Sequence, residues 1–111
     1  MKAEIYKDNW ERGLYKCSKC GNILFNSSDK FESGTKWPSF RKAMKGGVSM
    51  QPDTSLGMER TELICKKCGN HLGHIFDDGK TCGDVHPDAG NRLCILSSSL
   101  KFNKPKKAKY I

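Results

Sequence analysis

The chain has no run of apolar residues long enough to cross a membrane as a helix, which takes about 18 or more. Its opening residues, Met1 to Asp8, lack the apolar stretch of a secretory signal, so a cytoplasmic location is expected. No linker or low-complexity segment divides it, and 111 residues make one domain, 1–111. A chain of this size buries roughly 60–70% of its unfolded surface, enough for one modest core. Acidic residues are in the minority: 12 Asp and Glu stand against 20 Lys and Arg, for a net charge of +8.

What the chain does have is cysteine. In a reducing compartment, paired CxxC motifs favour metal over disulfides. Cys17-x-x-Cys20 and Cys65-x-x-Cys68, each followed by glycine (Gly21 and Gly69), are the spacing of a four-thiolate zinc site. The CxxCG turn delivers two sulfurs from one corner, and its glycine lets the chain turn away without a Cβ clash. Two such knuckles close a tetrahedral shell and leave no position for water, so the zinc is expected to be structural, one per chain. The long stretch between Cys20 and Cys65 implies a clamp on two distant segments. The competing reading, a pair of thioredoxin-type redox motifs, needs a βαβ context that is absent.

Lys16, Lys19, Lys66 and Lys67 flank or lie within the knuckles. Four thiolates around one Zn²⁺ carry a net charge of about −2, bringing the folded total to about +6. These lysines read as screening cations in preference to phosphate contacts of a nucleic-acid module. The second basic cluster, within residues 101–111, is expected to be a mobile tail.

The rest reads as mainly β. Short apolar runs at Leu14–Cys17, Asn22–Phe25, Thr61–Ile64, Leu72–Phe76, Leu93–Leu96 and Ser99–Phe102 are bounded by Gly, Pro, Asn, Asp and Ser. Trp37 to Met44 predicts a short helical turn, with Pro38 at its first position and Gly46-Gly47 ending it. Gly79 to Gly90 is a polar loop carrying Cys82.

His71 and His74 lie beside this chemistry. Histidine is the side chain best suited to donate a proton near neutral pH, although a lone histidine is more often structural. In a regular strand the two would face opposite sides, and a bulge at Gly73 would bring them to one. Cys94 shares a strand face with Arg92 and Leu96; the neighbouring guanidinium would favour its thiolate. An inert buried cysteine is the alternative. Cys82, in its loop, suits thiol exchange.

Six segments together are highly specific: the first knuckle, Phe31-Glu-Ser-Gly34, Trp37-Pro-Ser-Phe40, Gly57-Met-Glu-Arg-Thr-Glu62, the second knuckle with His71-Leu-Gly-His-Ile-Phe-Asp-Asp-Gly79, and Arg92-Leu-Cys94 with Ser97 to Phe102. Over nearly its whole length the chain resembles the methionine-R-sulfoxide reductase B family. The resemblance implies an all-β tent of two packed antiparallel sheets. It implies reduction of methionine-R-sulfoxide, free or in oxidised proteins, with Cys94 as nucleophile passing through a sulfenic acid. His74 is the expected proton donor, with His71 in support. Trp37, Phe76 and Arg92 are expected to bind substrate, and a thioredoxin-like partner to reduce the resulting disulfide. A monomer with no membrane or nucleic-acid partner is expected.

The chain departs from the family pattern in three respects. Thr35 stands where family members often carry the resolving cysteine, which makes Cys82 the expected substitute. Leu96 stands where asparagine is usual, which puts more of the proton delivery on the histidines. The segment before the first knuckle is short, and the Gly79 to Arg92 loop is long. The competing classes are a zinc-ribbon nucleic-acid module and a non-catalytic β-tent interaction protein. The first needs aromatics interleaved with basic residues on a sheet face, and the second has no use for Cys94 or His74.

Overall fold

The structure is a computed structural model that describes residues 4–54, 57, 59–87 and 89–104. Among the described residues there are nine strands: β1 (Leu14–Cys17), β2 (Ile23–Asn26), β3 (Lys30–Phe31), β4 (Ser39–Phe40), β5 (Val48–Asp53), β6 (Arg60–Cys65), β7 (His71–Phe76), β8 (Arg92–Ile95) and β9 (Leu100–Asn103). They make a three-stranded sheet ordered β2-β1-β9 and a six-stranded sheet ordered β3-β4-β8-β7-β6-β5. Every pairing is antiparallel. The protein is thus mainly β, as its short turn-bounded apolar runs require. Among the described residues no helix is long and apolar enough to cross a membrane.

Alternation along the strands decides what enters the core. In β1, Tyr15 and Cys17 are buried between the more exposed Leu14 and Lys16; in β6, Leu63 and Cys65 are buried. Leu24, Phe25, Phe40, Leu72, Leu93, Ile95 and Leu100 complete the core. Phe25 of the small sheet stacks on Phe40 of the large one with ring centroids 4.3 Å apart, and Tyr15 meets Phe40 edge-on at 5.2 Å. These aromatic contacts between the sheets hold them face to face. The Tyr15 hydroxyl is not stranded: Asn9 Nδ2 donates to it at 3.0 Å. Burial nonetheless pushes its pKa up to about 12.

Three local readings of the sequence are corrected. Ser39 and Phe40, expected within a helical turn, form β4. They are buried between β3 and β8, where Ser39 pairs with Phe31 and Cys94, and Phe40 with Lys30 and Leu93. Pairing on both sides outweighs the local helix-start signal of Pro38. β5 was not anticipated, because Gln51, Pro52 and Asp53 make its second half polar. It lies at the sheet edge, where proline is tolerated. Residues 101–103 are not the start of a mobile tail: the strand expected at Ser99–Phe102 is present as β9, which pairs with β1 over Leu14–Cys17. The remainder of that expected tail, residues 105–111, lies outside the described residues.

Candidate active site and metal centre

Each knuckle begins on the last residue of a strand. Cys17 ends β1 in the small sheet and Cys65 ends β6 in the large one, both facing inward. The chain then turns back through bonds from Gly21 N to Cys17 O at 2.9 Å and from Gly69 N to Cys65 O at 2.8 Å. Gly21 and Gly69 have φ of +80° and +79°, a backbone that other residues rarely adopt. The two turns face each other. Cys17 Sγ lies 3.6 Å from Cys68 Sγ, and Cys20 Sγ lies 3.6 Å from Cys65 Sγ. All four sulfurs fall within 4.8 Å of one another. A tetrahedron of sulfurs about 2.3 Å from a central Zn²⁺ has edges of about 3.8 Å, so the cluster fits such an ion.

The amides around this cluster are arranged reciprocally. Asn22, after the first knuckle, donates to Cys65 Sγ at 3.8 Å, and Asn70, after the second, donates to Cys17 Sγ at 3.7 Å. Burial raises the Cys17 thiol, but the backbone N–H groups of Cys20 and Lys19 outweigh it and bring the thiol down to about 7. The cluster can therefore hold a metal ion, and it ties one strand of each sheet together.

A second group of side chains gathers on the large sheet. Leu63 pairs with Gly73 but Ile64 pairs with His71, so Leu72 is the extra residue of a bulge in β7. Leu72 drops into the core, and His71 comes round to the face that carries His74, with ring centroids 5.5 Å apart. The bulge reasoned from Gly73 is present, one residue earlier than placed. Gly73 has a separate role: a Cβ there would collide with the Cys94 carbonyl, so only glycine lets β8 lie this close.

Cross-strand pairing builds a row through the site. Ser39 pairs with Cys94, Cys94 with His74, His74 with Glu62, and Glu62 with Gln51, running from β4 to β5. Directly opposite residues share a face. Above the row lies a cleft of about 310 Å³ lined by Thr35, Trp37, Arg60, His71, Gly73, His74, Phe76, Arg92, Cys94, Ile95 and Leu96. Of the expected site residues, Cys94, His74, His71, Trp37, Phe76 and Arg92 thus converge on one concavity. Its apolar wall comes from Trp37, Phe76, Ile95 and Leu96. Trp37 remains 38% exposed, and so can stack on something that enters.

Each histidine has its own carboxylate. His71 Nδ1 lies 2.6 Å from Glu62 Oε2, and Gln51 Nε2 donates to Glu62 Oε1 at 2.8 Å. Gln51 and then His71 hold the Glu62 carboxyl below its ordinary range. His74 Nε2 lies 2.7 Å from Asp53 Oδ2, and Arg60 donates to the same oxygen at 3.3 Å.

Arg92 acts on the Cys94 thiol in the direction the sequence suggested, and it is itself held in place. Its Nε and Nη2 donate to the two Asp78 oxygens at 2.8 Å and 3.1 Å, and its guanidinium lies 4.6 Å over the Phe76 ring. Burial raises the Cys94 thiol; Arg92 pulls the other way but does not win. Burial thus works against the thiolate that the sequence leads one to expect.

Cys82 stands apart from the cleft lining. Its N–H bonds Asp78 O at 2.9 Å, and its thiol adds slightly to the pull of Arg92 that lowers the Asp78 carboxyl. The loop is clamped at Asp84 as well, where Arg41 Nε and Nη2 donate at 3.0 Å and 2.9 Å. The polar loop that carries Cys82 is therefore fastened on both sides of it by ion pairs. Sequence reading missed Asp53, Glu62, Asp78 and Arg60. Glu62 and Arg60 sit on the polar face of a strand it did find, whereas Asp53 lies in the strand it did not.

Comparison with known proteins agrees with this arrangement. Residues 2–104 match the SelR domain family. The chain is 52% identical over 101 residues to the "Peptide methionine sulfoxide reductase MsrB" of Leptospira interrogans, covering 90% of this chain and 72% of that protein. It is 46% identical over 111 residues to the human "Methionine-R-sulfoxide reductase B2, mitochondrial", covering 93% of this chain and 57% of that protein. A solved structure, the Mis18 'Yippee-like' domain, superposes with a TM-score of 0.64 over 87% of this chain and all (100%) of that one; at 15% identity the likeness is one of fold alone. With the family match spanning nearly the whole chain and the reductase relatives near half identity, the chain belongs to the methionine-R-sulfoxide reductase B family of peptide-methionine (R)-S-oxide reductases.

Proposed function

We propose that Cys94 reduces methionine-R-sulfoxide, within oxidised proteins or free, by taking its oxygen. The observation that supports this most directly is the placement of Cys94 beside His74 on the floor of the cleft that Trp37 overhangs. The Cys94 sulfur attacks the sulfoxide. Its S–O bond forms as the S–O bond to the methionine sulfur breaks, and the thiol proton ends on the transferred oxygen. The cysteine sulfur is oxidised by two electrons to a sulfenic acid, and the sulfoxide is reduced by two electrons to the thioether. No other co-reactant is needed for this step.

Trp37 and Phe76 receive the substrate methyl and thioether chain, and Arg92, which also lines the cleft, lies over the Phe76 ring. His74 carries the proton to the departing oxygen, with His71 in support. Leu96 offers no polar group to share that work. The Cys82 sulfur displaces the hydroxyl of the sulfenic acid as water, and a thioredoxin-like dithiol in the cytoplasm then reduces the resulting disulfide. The four-cysteine cluster binds one Zn²⁺ that stays outside the chemistry, and the chain works as a monomer.

The test is an assay with peptides carrying the separated R and S epimers of methionine sulfoxide and dithiothreitol as reductant. Reduction of the R epimer alone is expected. No turnover of the R epimer would contradict the proposal.

A further inference from the structure

We propose that Asp53 sets which nitrogen of His74 serves the cleft, making His74 a neutral proton shuttle between Cys94 and the sulfoxide oxygen. The inference rests on the reductase reading above and extends it to a residue outside the cleft lining.

The geometry is a diagonal across β6. His74 and Asp53 are two strands apart, and the strand between them places Glu62 opposite His74 and Arg60 opposite Asp53. The His74 ring reaches between these two and puts Nε2 at 2.7 Å from Asp53 Oδ2. Both groups are mostly buried, with 16% and 18% of their side chains exposed. Asp53 is anchored from the other side by Arg60 Nη2 at 3.3 Å. Glu62 does not compete for His74, since its oxygens are occupied by His71 and Gln51. A carboxylate only accepts, so a hydrogen bond at 2.7 Å requires the proton on Nε2.

With Nε2 committed, Nδ1 is the nitrogen left for chemistry, and it makes no hydrogen bond among the described residues. In the neutral ring Nδ1 is an acceptor. An acceptor suits the Cys94 opposite it, since burial favours the protonated thiol. Nδ1 takes the proton from the Cys94 thiol as the sulfur attacks, and returns the same proton to the sulfoxide oxygen as its bond to the methionine sulfur breaks. The ring begins and ends neutral, with Nε2–H on Asp53. Asp53 is a positioning residue in this scheme, since it touches neither substrate nor Cys94.

The test uses the full-length chain labelled with ¹⁵N at its three histidines. Ring-nitrogen NMR at a pH where the rings are neutral reads the tautomer, with His74→Asn used to assign the signals. The expected result is a proton on Nε2 of His74 in the wild type and in Asp53→Glu, and loss of that preference in Asp53→Ala. Turnover of a peptide methionine-R-sulfoxide is measured alongside. Asp53→Ala is expected to lower kcat about 10–100-fold while KM moves less than about threefold. Asp53→Glu recovers part of the loss, and Asp53→Ala adds nothing in a His74→Asn background. A wild-type proton on Nδ1 overturns the proposal even if Asp53→Ala does not fold. Full kcat in Asp53→Ala, or additive losses in the double variant, overturns it too. A wild type with no reductase activity removes the reductase reading and the shuttle together, whereas an active Asp53→Ala removes the shuttle alone.

Discussion

Cys94 and His74 are direct cross-strand partners in the β7–β8 pair, and the glycine beside His74 is what lets those strands approach so closely. Partners at such positions have Cβ atoms about 4.5–5.5 Å apart. A thiol and an imidazole are thus held side by side by the backbone register rather than by a flexible loop.

The first prediction follows from that register. His74→Asn is expected to lower turnover of methionine-R-sulfoxide about 10²–10⁴-fold, the range for loss of a proton-transfer group. Leu96 lines the same cleft and offers nothing in compensation. Steady-state kinetics of His74→Asn and His71→Asn check this. A larger loss in His71→Asn, with His74→Asn near wild type, transfers the role to His71.

A second prediction concerns the four sulfurs that join the sheets. Native mass spectrometry is expected to find one zinc per chain, and Cys65→Ser to unfold the domain, because metal binding and folding are coupled at such sites. A zinc-free protein that stays folded and active would refute this.

The third prediction concerns pH. Asp84 and Arg41 are an ion pair with only 1% and 8% of their side chains exposed, and Arg41 holds the Asp84 carboxyl below its usual range against the pull of burial. A carboxyl lowered on folding is protonated more readily in the unfolded chain. Its contribution is therefore complete above the ordinary carboxyl value of about 3.9 and is lost as pH falls through the lower folded value. Asp84→Asn is expected to cost about 3 kcal/mol near neutral pH, the order for breaking a buried pair. In urea unfolding of both proteins across pH, the gap narrows toward acid. A gap independent of pH contradicts the assignment.

Cys82 is the subject of the fourth prediction. After one equivalent of substrate without reductant, peptide mapping is expected to find a Cys82–Cys94 disulfide in the wild type. Disulfide formation needs Cα atoms about 4.4–6.8 Å apart, and Arg92, which holds Asp78, interacts with both Cys82 and Cys94. Cys82→Ser is expected to release one methionine and then stall with thioredoxin, while a small dithiol still restores it. Normal turnover of Cys82→Ser with thioredoxin, and no mapped link, reduces Cys82 to a loop residue.

These features were not equally legible in the sequence. The knuckles were plain, because both ligands of each pair and the glycine that turns the chain lie within five residues. The bulge that turns His71 toward His74 was also readable, since Gly73 weakens a regular strand where two histidines would otherwise diverge. β4 was hidden because its evidence is not local: Ser39 and Phe40 are strand residues only by virtue of β3 and β8 on either side. Asp53 was hidden with β5, whose polar edge position leaves no alternation of apolar residues. The balance at Cys94 was hidden as well, because the sequence shows that Arg92 is near but not how deeply the thiol is buried, and burial is the larger effect.

The role of Cys94 is tested most directly by following oxygen. The full-length chain is mixed with one equivalent of a peptide methionine-R-sulfoxide carrying ¹⁸O, without reductant, in the Cys82→Ser background. Mass spectrometry is predicted to find one ¹⁸O on Cys94 for each methionine released, none after the S epimer, and none in Cys94→Ser, which is predicted to release no methionine. Methionine release by Cys94→Ser, or labelled oxygen on any other residue, would contradict the account.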